Sequence, residues 1–167
     1  YLLAYEPRQD PKSEKNMSSP VGDQLEHVLE SPVPELPSLR YTADPKFDYC
    51  SGGDDWSPSD ITGTVVWDGL RSTYTLLCRG EDSGSFFGPQ VVKGLRVLEL
   101  GSGSGLLGLG CGLLGAREIV LTDLPCHVPR LLENARINDG ALAASSVSVK
   151  VVSLEWGADD EVTEAAV

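Results

Sequence analysis

Residues 97–110 read VLELGSGSGLLGLG. An apolar run carrying one glutamate gives way to glycine at almost every second position, the pattern of a strand entering a glycine loop that opens a helix. The alternation continues downstream. LRVLEL (95–100) is a strand and SGLLGLGCGLLG (104–115) a helix. EIVLT (118–122) is a second strand, CHVPRLLENARIN (126–138) a second helix, and residues 147–155 a third strand. Strands separated by helices of this length predict β-α-β units and a parallel sheet, hence an α/β fold. Gly108, Gly112 and Gly115 share one helix face, which lets that helix lie close against the sheet. Upstream, Val66, Leu70, Tyr74, Leu77 and Cys78 fall at helical spacing and predict an amphipathic helix over 65–79, followed by a loop over 80–94.

Charge is distributed unevenly along the chain. Of the net −12, residues 1–60 hold 12 acids and 5 bases, residues 61–153 hold 8 of each, and residues 154–167 hold 5 acids and no base. No basic stripe exists to neutralise phosphates, which argues against a nucleic-acid partner. Residues 1–60 are dense in Pro, Ser, Asp and Glu and read as a flexible acidic extension, with one short helix around residues 23–30; order is expected from Ile61 to Val167. The first residue is Tyr1, so the chain reads as a fragment, a processed product or an incomplete gene model. No apolar run is long enough for a membrane span. Cys50, Cys78, Cys111 and Cys126 lack metal-ligand spacing, so no metal site is expected; Cys78 and Cys111 read as buried thiols and Cys126-His127 as a surface pair. Reduced thiols point to the cytoplasm, with the nucleus as an alternative.

The glycine loop admits two ligands. Gly103 to Gly108 fits GxGxxG, in which loop amides at a helix N-terminus hold the pyrophosphate of a dinucleotide, giving an NAD-dependent oxidoreductase. Glu99 opposes that reading, because a carboxylate beside a doubly charged pyrophosphate is costly in a partly dry cleft. The same carboxylate favours a ligand with positive charge beside the loop. S-adenosylmethionine has an α-ammonium and a sulfonium and no phosphate. Asp123, closing the second strand, is placed to accept both hydroxyls of a ribose, which either ligand possesses. As an alternative to a ligand role, Glu99 reads as a cap or as a salt-bridge partner of Arg96 or Lys93; Asp123 also reads as a helix N-cap, a role that can coexist with the ribose contact.

TGTVVWDGL, VLELGSGSGLLGLGCGLLGA, IVLTDLP, LLENARIN and VKVVSLEWG together resemble the seven-strand, S-adenosylmethionine-dependent methyltransferases, and within them methyltransferase family 16, the protein-lysine methyltransferases. The resemblance covers about residues 62–157 and implies a Rossmann-like fold with S-adenosylmethionine as cofactor. It implies that Trp67 flanks the cofactor, that Gly101, Ser102 and Gly103 contact its methionyl part, that Asp123 holds its ribose, and that Trp156 packs near the adenine. Glu99 matches the acidic residue at the head of the loop. The implied partner is a protein bearing the acceptor lysine, and the complete protein is expected to be a monomer. The family continues through four further strands and an Asp-x-x-Tyr-like motif that helps hold the lysine. No such motif follows Trp156, so no catalytic residue is assigned. The 167 residues read as a fold cut after its third strand, the cofactor-side half, whose first strand is left with a bare apolar edge. A non-catalytic adaptor or degenerate paralogue is the remaining alternative.

Overall fold

The computed structural model describes residues 2–4, 26–42, 65–80 and 87–157. Its centre is a four-stranded sheet built from β1 (Leu2–Ala4), β4 (Arg96–Leu100), β5 (Glu118–Asp123) and β6 (Ser148–Ser153), lying in that order. β4, β5 and β6 run parallel, with Arg96 opposite Glu118 and Glu118 opposite Ser148. Helix α2 (Leu106–Leu113) links β4 to β5, and helices α3 (Val128–Ile137) and α4 (Asp139–Ala143) link β5 to β6. The β-α-β alternation read from the sequence is therefore present, with the helices and the third strand three or four residues shorter than expected and the first two strands within one residue. β5 is buried along nearly its whole length, as expected of a central strand covered on both faces.

α2 owes its position to its glycines. A Cβ at Gly112 would come within 2.7 Å of Ile119 and 3.1 Å of Leu142, so a methyl group there would push the helix off β5. A Cβ at Gly110 would meet the ring of Tyr74 at 2.5 Å, which lets helix α1 (Asp68–Arg79) pack on the other flank. Gly115, expected on the sheet-facing side, lies beyond the end of α2 at φ 94°, in the turn that leaves the helix. α1 buries Tyr74, Leu77 and Cys78, the residues whose spacing predicted it. Cys78 and Cys111 are buried free thiols.

Three expectations are corrected here. Residues 26–42 do not belong to a flexible extension, and residues 26–29 are not helical. β2 (Glu26–Leu29) and β3 (Leu39–Thr42) form an antiparallel hairpin, with His27 stacked on Tyr41 at 5.3 Å. Its inward side chains Leu29 and Leu39 enter the core at 2% and 0% exposure, which a polar average over residues 1–60 conceals. The hairpin is fastened by long-range bonds. Arg79 donates to the Pro32 carbonyl, Asn134 accepts from the Thr42 amide at 2.8 Å, and Asn138 accepts from the Arg40 amide at 2.9 Å. The edge of β4 is also not bare: β1 pairs antiparallel with it over Val97–Glu99.

At the end of the sheet where the parallel strands begin, Glu118 accepts from Arg96 at 2.6 Å and from Lys150 at 3.0 Å. Arg96 thus pairs with Glu118 and not with Glu99. Among the described residues no helix is long and apolar enough to cross a membrane.

Candidate functional site

A cavity of about 740 Å³ opens beyond the C-terminal ends of the parallel strands, where open α/β sheets carry their ligands. Its walls come from Val65 to Thr73 at the start of α1, Glu99 of β4 with the loop Gly101–Ser104 and Leu107 of α2, the turn from Asp123 to His127, and Leu154–Trp156 after β6. Trp67, Glu99, Gly101, Ser102, Gly103, Asp123 and Trp156, spread over 90 positions of sequence, all line it.

The loop is held open by backbone geometry. Gly101 and Gly103 take φ of 64° and 55°, a left-handed conformation that side chains resist. A Cβ on Gly101 would also approach the Trp156 ring to 3.2 Å, so the bare backbone lets the indole close over it. Ser102 is turned inward. Its hydroxyl donates to the Glu99 carbonyl at 3.1 Å and accepts from the Thr122 amide at 3.0 Å, while its amide donates to the Thr122 carbonyl at 2.8 Å. Ser102 therefore ties the loop to the ends of β4 and β5 and has no free hydroxyl to offer.

Both acids bind loop amides. Helix α2 is capped by Gly105, which has no side chain, and Glu99 from the preceding strand takes over: its Oε2 accepts from the Gly108 amide at 3.1 Å. The cap role therefore coexists with a place on the cavity wall. Burial pushes the Glu99 carboxyl up to about 7; the Gly108 amide and the Ser102 hydroxyl pull it back, and the nearby Asp123 adds to the rise. Asp123 is 8% exposed, its Oδ2 accepting from the Gly103 amide at 2.7 Å and its Oδ1 from the Leu124 amide at 2.8 Å. It is not a helix cap, because α3 starts five residues later, at Val128. Trp67 and Trp156 stand at the mouth, 59% and 64% exposed.

The model of methyltransferase family 16, described as lysine methyltransferase, matches residues 55–166. The chain belongs to the lysine methyltransferase family. It is similar to the protein N-terminal and lysine N-methyltransferase efm7 of Aspergillus fumigatus, 34% identical over 100 residues, which is 58% of this chain and 35% of that protein. EEF1A lysine methyltransferase 3 of Xenopus tropicalis is 38% identical over 69 residues, 41% of this chain and 29% of that protein. Calmodulin-lysine N-methyltransferase of Arabidopsis thaliana is 29% identical over 152 residues, 87% and 45%. The chain thus spans less than half the length of these three relatives.

In this member of the lysine methyltransferase family, two residues that the sequence reading gave no role in the site stand close to it. Asn134, wholly buried on α3, accepts from Thr42 and donates to the Ser104 carbonyl at 2.8 Å, so one side chain joins the hairpin to the glycine loop. His127 was expected at the surface beside Cys126. It is 4% exposed and lines the cavity, because its amide closes a turn on the Leu124 carbonyl at 2.9 Å that carries the ring inward; Cys126 is disulfide-bonded. The signal for both lay in helical spacing. His127, Leu131, Asn134 and Asn138 form one stripe of α3 with Leu131 fully buried, and polar residues on a buried stripe need partners.

Proposed function

We propose that this chain forms the cofactor-binding part of an S-adenosylmethionine-dependent methyltransferase that modifies a lysine of a protein. The observation that carries the reading is the use of the glycine loop's amides. Those of Ser102, Gly103, Gly105 and Gly108 are already bonded within the protein, two of them to carboxylates. A pyrophosphate needs such amides for itself and would face two buried acids, so a dinucleotide fits poorly. A cation bearing adenosine fits well. The cavity lies within the roughly 300–1,000 Å³ common for small-molecule sites.

Trp67 and Trp156 would flank the cofactor, the Gly101–Gly103 backbone would pass its methionyl part, and Glu99 would balance its ammonium. Asp123 would take the ribose hydroxyls on lone pairs left over by its two backbone donors. S-adenosylmethionine supplies a sulfonium-activated methyl group for in-line transfer to a neutral amine. The contribution of this chain is to hold and orient the cofactor and to exclude water around it. The lysine acceptor follows from the similarity to enzymes named for lysines of EEF1A and calmodulin. The acidic net charge of −12 suits a basic target region.

Calorimetric titration of the full chain tests the reading. S-adenosylhomocysteine is expected to bind and NADH not to bind; the reverse order would return the site to a dinucleotide. Asp123→Ala is expected to weaken S-adenosylhomocysteine by roughly 1–3 kcal/mol. Unchanged affinity in that variant removes the ribose assignment.

A further inference from the structure

His127 is a buried polar side chain at the cavity with no assigned task. Its ring makes no hydrogen bond among the described residues: Nδ1 is sealed within the protein without a partner, and Nε2, which is not sealed, is the nitrogen left to meet a ligand in the cavity. A neutral imidazole presents one donor and one acceptor, and leaving such a group unmatched in a protein interior costs roughly 1–3 kcal/mol. The ring is not there by accident of mobility. The His127 amide is bonded to the Leu124 carbonyl at 2.9 Å and its own carbonyl receives the Leu131 amide at 3.1 Å, which fixes the residue at the first turn of α3. Of the other polar groups of this wall, both Asp123 oxygens hold backbone amides, Ser102 spans the two strand ends, and Glu155 lines the cavity as an exposed, solvated carboxylate, whereas His127 is buried. Leu124, Leu154 and Trp156 offer the same wall apolar surface, which can grip a flat ring but cannot tell one heterocycle from another.

We infer that His127 hydrogen-bonds the edge of the ligand's purine ring and so selects adenine over other bases. The inference rests on the cofactor reading above and deepens it. Asp123 would serve the sugar, the apolar residues would grip the base by contact, and His127 would read its heteroatoms. A site that pairs a specific ring atom rejects the analogue lacking it, because its own buried polar atom is then left unmatched.

The test compares S-adenosylhomocysteine with S-inosylhomocysteine, its 1-deaza, 3-deaza and 7-deaza analogues, and a 2′-deoxyribose analogue. All are titrated against the wild-type chain and against His127→Phe and His127→Gln, with thermal melts to confirm folding. Wild type is expected to prefer the adenosyl ligand over the inosyl ligand or one of the deaza ligands by about 5–10-fold. His127→Phe should abolish that preference while keeping the 2′-deoxy penalty, and His127→Gln should restore part of it. A base preference that survives in His127→Phe, or one absent from wild type, overturns the inference. If His127→Phe does not fold, the wild-type deaza series and His127→Gln still decide. Failure of wild type to bind any adenosyl ligand is a separate result, and rejects the cofactor reading itself.

Discussion

Glu99 answers to two neighbours: the Gly108 amide, which favours an ionised carboxylate, and its own burial, which opposes one more strongly and raises its pKa to about 7. A raised acid pKa in the folded state means that the native protein holds a proton the unfolded chain has released. The stability this contributes is full below about 4.5 and is lost as pH rises through about 7. Above that, the unliganded protein carries a buried anion with one hydrogen bond and a second acid nearby. Glu99→Gln keeps an acceptor for Gly108 and removes the ionisation. The variant is expected to gain stability relative to wild type by about 1–3 kcal/mol between pH 5 and pH 9, read from urea denaturation midpoints. A difference that stays flat with pH would show that Glu99 does not titrate in this range. The sequence revealed this acid as out of place beside a pyrophosphate, but not which amide it caps, since Gly108 lies nine residues away across the loop.

The elements of the β-α-β core were legible because each is specified locally. A short apolar run in 96–100, a buried run in 118–123 and helical spacing in 68–79 are all written into neighbouring positions. The hairpin was not legible, for the opposite reason. Its residues lie in polar, proline-rich sequence, and what fixes it is the side chains of Asn134 and Asn138, more than 90 positions later. Asn134 bears on the site because it holds Thr42 with its oxygen and Ser104 with its nitrogen. Asn134→Ala strands a buried amide and a buried carbonyl together. The expected cost is about 2–4 kcal/mol in chemical denaturation, with faster hydrogen exchange in both β3 and the loop 101–105. Exchange that speeds up in β3 alone would mean that the hairpin and the loop are not joined through this residue. The seven site residues read from the sequence come together because six of them lie at or just after strand ends, and parallel strands deliver their ends to one side.

Across the whole molecule the sheet has one strand out of keeping with the rest. β1 is three residues long, runs against its neighbour and covers β4 only over Val97–Glu99. Removing residues 1–4 uncovers that row of ladder groups beside apolar side chains. The shortened chain is expected to associate at concentrations where the full chain does not, as seen by light scattering and by loss of the slow exchange of β4 amides. A shortened chain that stays dispersed would show that the edge is protected by something other than this pairing. The opposite end of the sheet leads to a different outcome. Although burial pulls Glu118 upward, Arg96 and Lys150 outweigh it and hold that carboxyl below the usual range, so its contribution fades as pH falls, whereas that of Glu99 fades as pH rises. Acid therefore loosens the root of the sheet while it relieves the rim, and alkali does the converse. The two carboxyls titrate in opposition, and their joint contribution is greatest in the mildly acidic interval that separates them.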